Sequence, residues 1–350
     1  MARRDYANAR VQAMRGRLLG ARGLRALLGR ATLEARLTFL MGTDYGEALG
    51  DALRRHPADP LRAAEHVLFA RPAADALRID AWLAGDPGRS VVRAFQLLED
   101  AASLKILVRG LARGTPGERL VSLCLPTPSL DAAALRALAG GASLEALAAA
   151  LRTRGSPFGA PLAAALQRTS GSALRPLEAA LDRAAATAVM EAAAGAPAAD
   201  RAVLTAALAL RTDLANAATL LKLDEAATTA EALFVPGGGV LAAGALPRLA
   251  AAPLARRREV IGAMLRTPLG RAAAAAASRH LGDPLRGDQI LRAALERALH
   301  AAARLLPLSI AVPIAYLVER AGEVRRLRLA LRGAEYGLPA SELVDLLEAA

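Results

Sequence analysis

The chain has 350 residues, of which 54% are apolar and only 3% aromatic, and its formal net charge is +12. Alanine and leucine dominate and strand-favouring runs are scarce, so the composition predicts an all-α protein. Cys124 is the single cysteine, which excludes an intrachain disulfide and a thiolate metal cluster and favours a reducing, cytoplasmic setting. The positive charge suits an acidic partner, but nearly all basic residues are arginines spread along the whole chain, which weakens that inference.

No segment is long enough to be predicted as a membrane span. The uncharged run 305–318 has 14 residues and contains Pro307 and Pro313, and the longest uncharged run, 232–247, has 16 residues. A transmembrane helix needs about 20 apolar residues. The sequence therefore predicts a soluble chain or a peripheral one.

Residues 1–33 predict a basic amphipathic helix. They hold eight arginines and one acid, Asp5, and apolar residues recur at helical spacing from Ala7 to Ala21. Three interpretations are open: a transit peptide, which the absence of serine disfavours; a membrane-surface helix, for which the apolar residues are small; and a helix packed on the body of the protein.

Further helices follow, separated by clear breaks. A helix over 32–40 runs into a turn at 42–46, and helical patterning resumes up to 111. A proline-rich break at 125–129 and a glycine-rich break at 236–239 divide the rest, which is helical again. The last helix has one apolar stripe from Ile314 to Leu331 with charged residues away from it, and Gly337 and Pro339 predict where it stops.

Short similarities between these helices predict an internal repeat. Glu65 and Asp100 are 35 positions apart, as are Glu178 and Asp213, and a third copy contains Glu296. With the two breaks, the pattern predicts three helical units at 1–125, 126–238 and 239–350, the first including the basic N-terminal helix.

The sequence shows few signals of catalytic chemistry. The sequence has no phosphate-binding loop, no histidine pair with metal-ligand spacing and no nucleophile elbow. Asp213 and Asn216 lie one helical turn apart and form either a polar site or a hydrogen-bonded structural contact. The sequence therefore predicts no catalytic residue, no cofactor and no metal site.

Several short motifs resemble one family along nearly the full chain. The 8–19 segment, the turn around Tyr45, the Asp213 and Asn216 motif and the glycine turn at 234–240 resemble the C subunit of V/A-type rotary ATPases, the counterpart of the d subunit of the eukaryotic complex. The C-terminal motif is the strongest, and its motif residues are Tyr316, Glu319, Arg320, Tyr336, Gly337 and Pro339. The first and third copies depart from the motif of the second, with Ser103 and Glu323 at the asparagine position.

This resemblance implies a fold and a role. The expected fold is three similar helical domains with pseudo-threefold symmetry, arranged as a funnel. The expected role is a non-catalytic connector on the cytoplasmic face of the membrane, peripheral to it, which joins the proteolipid rotor ring to the central-shaft subunits. Torque would then couple ATP turnover to proton or sodium transport, with no nucleic-acid partner.

Four arginines of the last helix are candidate contacts to acidic groups of a partner, since a guanidinium reaches a carboxylate with two donors. They are Arg325, Arg326, Arg328 and Arg332. Solvated or intramolecular charge pairs are the competing interpretation. Competing functions are a basic helical scaffold for nucleic acid or acidic proteins, although no solenoid period is visible, and a helical-bundle enzyme with an unrecognised site.

Overall fold

The computed structural model describes residues 2–168, 173–223, 233–339 and 341–344. Within these ranges every element is helical and no strand occurs, which confirms the all-α prediction. The α-helices are α1 Ala2–Arg15, α2 Gly20–Leu28, α3 Leu33–Met41, α4 Gly46–Arg55, α5 Pro60–Trp82, α6 Gly88–Leu111, α7 Gly117–Val121, α8 Ala132–Ala139, α9 Leu144–Thr153, α10 Gly159–Arg168, α11 Arg175–Ala194, α12 Ala198–Lys222, α13 Leu246–Ala250, α14 Leu254–Leu269, α15 Arg271–Ser278, α16 Pro284–Leu305 and α17 Ala311–Glu335. None of the described helices has both the length and the apolar character needed to cross a membrane.

Three pairs of long helices form the framework. In each pair a short connection joins the two helices, at 83–87 between α5 and α6, at 195–197 between α11 and α12, and at 306–310 between α16 and α17. Each of the three units predicted from the sequence contains one pair. The unit boundaries themselves stay predictions.

The three pairs contact one another in cyclic order. α6 packs on α11, α12 packs on α16, and α17 returns to pack on α5. The second helices of the pairs, α6, α12 and α17, also contact each other. The pairs therefore close a ring with the three short connections at one end, which we call the turn end.

Helix α1 ties the three connections of the turn end together. The Arg4 guanidinium donates to Asp86 at 2.5 Å, in the first connection, and to Asp200 at 2.8 Å, just after the second connection. The Asn8 amide donates to the carbonyl oxygens of Pro307 and Ser309, in the third connection, at 3.3 and 3.2 Å. The turn end is thus closed by a helix from the start of the chain.

The body-packed interpretation of the N-terminal segment is confirmed for α1, in which Ala7, Val11 and Met14 are buried against the core. The prediction of a single helix over residues 1–33 was wrong, because α1 ends at Arg15 and α2 begins at Gly20. Gly20 has a φ of +60°, a value that glycine adopts without steric cost and that redirects the chain there.

Helix α17 is buried on almost every side, and the prediction of a single buried stripe with charges away from it was wrong. The apolar stripe is buried as expected, but so are Arg320 and Glu323, whose side chains are 0% and 6% exposed. The reason is that α17 contacts α16 on one side and α5, α1, α2 and α3 on others.

The predicted stop of α17 is confirmed by a Schellman motif. Gly337 has a φ of +65° and donates its N–H to the Ala334 carbonyl at 3.3 Å. The Leu338 N–H donates to the Gly333 carbonyl at 2.8 Å. Pro339 follows directly and Tyr336 is exposed.

Candidate functional site: a charged central cavity

An open cavity of about 330 Å³ lies among α6, α11, α12, α16 and α17. The cavity is lined by the helix ends that lie away from the three short connections. Small residues such as Ala102, Ala215 and Ala218 on its wall leave the space open. The ring is therefore closed at the turn end and open at the opposite end, which we call the open end.

Glu99 links the three second helices at the cavity. Its carboxylate accepts from Arg211 of α12 at 3.0 Å and from Arg325 of α17 at 2.6 Å. Burial alone would raise the pKa of Glu99, but the positive charges of Arg325, Arg211 and Arg292 outweigh burial and lower the pKa to about 2. Glu99 is therefore ionised at neutral pH and holds two arginines in fixed positions.

The other carboxylates on the cavity wall are also paired. In each ion pair the cation lies on the second helix of one helix pair, and the acid lies on the first helix of the next helix pair. The ion pairs therefore follow the cyclic order of the helix contacts. The pairs are Lys105 with Asp182 at 2.7 Å, Arg109 with Glu178 at 2.5 Å, and Lys222 with Asp288 at 2.8 Å.

The Asp213 and Asn216 motif anchors the glycine-rich segment that follows α12. The Asp213 carboxylate accepts three backbone N–H groups at 2.8–3.0 Å, those of residues 239–241. The Asn216 amide exchanges two hydrogen bonds of 2.9 Å with the backbone of Val235. A Cβ on Gly238 would lie 2.2 Å from the Asp213 carboxylate, so this close approach requires glycine. The motif forms a structural contact, with loop backbone as the partner.

The first repeat copy uses the equivalent positions in the same way. Asp100 accepts from the hydroxyls of Thr127 and Ser129, and Ser103 exchanges hydrogen bonds of 3.1 and 3.2 Å with the backbone of Leu125. Burial raises the pKa of Asp100 to about 6, since two hydroxyl donors and no cation compensate its charge.

In the third copy, the equivalent positions anchor the start of the chain instead. Arg320 donates to Tyr45 Oη at 2.9 Å and to Tyr316 Oη at 3.0 Å. Glu323 accepts from Tyr45 Oη at 2.7 Å and from the backbone N–H of Leu19 at 2.5 Å. Two further carboxylates, Asp44 and Asp75, each lie 3.0 Å from the Arg320 guanidinium. Tyr45 and Tyr316, distant in sequence, thus meet in one buried network.

The four arginines predicted as partner contacts all pair within the chain. Arg325 pairs with Glu99 and Arg326 pairs with Glu296 at 2.9 Å. Arg328 and Arg332 share Glu65, at 3.3 and 2.5 Å. Only Arg325 lies on the cavity wall. A contact of any of the four with a partner stays a prediction.

Arg292 also lies on the cavity wall, but the sequence did not predict it as a site residue, and its contacts differ from those of the other cavity arginines. Among the described residues Arg292 forms no hydrogen bond and no ion pair. Arg292 is exposed to solvent in the open cavity, and the nearby positive charge of Arg325 lowers its pKa to about 10, so its guanidinium remains charged at neutral pH. Periodicity could not single it out, because exposed arginines occur on most helices of this chain.

No group of three or more His, Cys, Asp or Glu side chains in the described part of the chain is placed to hold a metal ion. Cys124 is buried, and burial raises the pKa of its thiol to about 12, which keeps it unreactive. Cys124 is a residue of the hydrophobic core.

Comparison with known proteins agrees with the motifs. The model of the ATP synthase (C/AC39) subunit family matches residues 7–346. The chain is 27% identical over 345 residues to the C subunit of the V-type ATP synthase of Deinococcus radiodurans, an alignment that covers 97% of this chain and 89% of that protein. The matched range includes the helix ring, the cavity and the buried network of Arg320, so this chain belongs to the ATP synthase (C/AC39) subunit family.

Proposed function

We propose that this protein is the central-stalk connector of a V-type rotary ATPase, a structural component that catalyses no reaction itself. The observation that carries the proposal is a closed ring of three helix pairs with one sealed end and one open, charged end. A connector needs two different docking ends and a rigid body between them. Because the chain belongs to this family, the other subunits of the complex are its expected partners.

The open end suits the central shaft. Its cavity is bounded by several helices, has charged walls, and is wide enough at about 330 Å³ to receive side chains at the end of a shaft helix. Charge pairs that join neighbouring helices hold these walls in place. Torque on an inserted shaft end would therefore be passed to the whole ring, because close-packed helices transmit strain.

The turn end suits the membrane-embedded proteolipid ring, and it lies on the opposite side from the cavity. The end of α16 and the third connection expose an apolar tip, in which Leu305 is 81% exposed and Leu308 is 64% exposed. Exposed apolar residues grouped at one place favour a protein contact. Docking through this end would place the chain at the cytoplasmic face of the membrane without a span of its own.

We also propose the domain boundaries 1–125, 126–238 and 239–350 and a pseudo-threefold, funnel-like arrangement. Support comes from the three helix pairs, one per unit, and from their cyclic contacts. Further support comes from the motif that begins at Asp100, Asp213 and Arg320, which anchors a neighbouring segment in all three copies. In the third copy that segment comes from the N-terminus, as a closed cyclic arrangement requires.

A pull-down tests the proposal. The tagged chain would be isolated from gently solubilised source membranes, and its partners identified and counted by mass spectrometry. We expect the proteins of the ring and of the shaft, with one copy of this chain per complex. Recovery of nucleic acid or of unrelated soluble proteins without ring proteins would contradict the proposal and favour the basic scaffold.

A further inference from the structure

Among the residues that the structure describes, the positive and negative charges on the cavity wall do not balance. Four carboxylates line the cavity, and each is paired with at least one cation of this chain. Seven cations line the same wall, namely Lys105, Arg109, Arg175, Arg211, Lys222, Arg292 and Arg325. The described residues therefore leave three positive charges in excess inside a partly enclosed space, where a charge is screened less than on an open surface.

Most of these cations already have a partner. Arg211 and Arg325 share Glu99, and Arg175 donates to the Lys222 carbonyl at 2.5 Å. Arg292 differs, because no carboxylate or carbonyl among the described residues accepts from it. It projects from α16 into the cavity, where none of the described side chains or carbonyl groups uses its donors.

The neighbours of Arg292 make this position favourable for an incoming anion. Arg325 is its strongest electrostatic neighbour and repels it, and Arg211 adds to the repulsion. The nearby carboxylates of Glu99 and Asp288 attract Arg292, but both of them pair with other cations. A carboxylate placed on Arg292 would gain a forked pair of hydrogen bonds and relieve the repulsion between arginines.

We propose that Arg292 is an anion-binding residue of this cavity, and that its ligand is a carboxylate side chain near the end of the shaft. The inference rests on the proposed connector function and adds the chemistry of the partner: the inserted segment is acidic. Arg211 and Arg325 are positioning residues, because Glu99 holds them where their charges favour the same anion.

The test uses the purified full-length chain and a fluorescent, capped hexaglutamate peptide, with binding measured by anisotropy. We expect R292Q to weaken binding about tenfold, the usual effect of losing one charged hydrogen-bonded contact. R297Q is the matched control, since Arg297 is an exposed arginine of the same helix outside the cavity wall. We expect R297Q to change the affinity less than twofold, and a hexaglutamine peptide not to bind.

Two further arms decide the source of the anion and separate this inference from the connector proposal. Competition by inorganic phosphate at concentrations similar to the peptide would point to a free small anion and overturn the carboxylate assignment. Equal binding by R292Q and R297Q, or binding of hexaglutamine, would also overturn it.

In the pull-down, shaft recovery by both wild type and R292Q at equal yield would remove the Arg292 site and leave the connector standing. Recovery of no shaft by wild type would remove the connector itself.

Discussion

Replacing Arg320 with methionine tests whether the network that joins the N-terminal segment to α17 holds the fold together. Arg320 is fully buried, and its guanidinium contacts Asp44, Asp75 and Glu323 and two tyrosine hydroxyls. Methionine fills a similar volume but removes the only fully buried cation among these carboxylates.

The expected cost is large because the acids remain behind. Asp75 has no exposed side-chain surface and Glu323 only 6%. Removing one partner of a buried ion pair costs about 3–5 kcal/mol, since it leaves a buried charge uncompensated. Arg71 still contacts Asp44 and Asp75, which places R320M toward the lower end of that range. R320K should destabilise the chain less than R320M, because lysine keeps the positive charge but loses the forked set of guanidinium donors.

Chemical denaturation at pH 7, with the free energy of unfolding as readout, measures the effect. R54M is the control, because Arg54 forms an ion pair on the surface with a side chain 75% exposed, and surface changes cost about 0.5 kcal/mol or less. Equal free energies of unfolding for R320M and R54M would refute the reasoning.

Three further substitutions have defined outcomes. R4Q should destabilise the chain by about 2–4 kcal/mol in denaturant unfolding, because two carboxylates that are at most 7% exposed lose their shared cation; no loss would show that α1 does not close the turn end. Gly238→Ala should cost about 1–3 kcal/mol, since Asp213, fixed by three N–H groups, cannot move from the added Cβ; unchanged stability would contradict that fixed geometry. In D100N the pH dependence should change. The pKa of Asp100 is raised from 3.8 to about 6 on folding, so the wild type loses stability as the pH rises between these two values. The free energy of unfolding of D100N relative to that of the wild type should therefore increase by about 2–3 kcal/mol from pH 4 to pH 7, and a difference independent of pH would contradict the raised pKa.

The helical fold was accessible from the sequence because it depends on local signals. The breaks at 125–129 and 236–239 and the stop at Gly337 follow from proline and glycine chemistry, which acts within a few residues. The prediction of three units came from the equal spacing of Glu65 to Asp100 and of Glu178 to Asp213, and the unit boundaries stay a prediction. In both copies the two acids lie on a pair of long helices, α5 with α6 and α11 with α12.

The site was much less accessible, because it depends on which helices meet. Nothing in the local sequence distinguishes buried Arg320 from Arg326, six residues later and only partly buried. The difference arises because Arg320 faces the turn that contains Tyr45, 275 positions away. The free donors of Arg292 likewise follow from the lack of an available acid on the neighbouring described helices, which only the assembled ring reveals.

Site-specific cross-linking in the assembled complex tests the central claim most directly. Cys124 is buried, so new cysteines at two positions can be labelled selectively: Ala218→Cys on the cavity wall and Leu308→Cys at the turn end. With a short cysteine-reactive photocross-linker, Ala218→Cys should join the chain to a shaft protein and Leu308→Cys to the proteolipid of the ring. Cross-links with the partners exchanged, or no cross-link to either partner in an intact complex, would contradict the connector account.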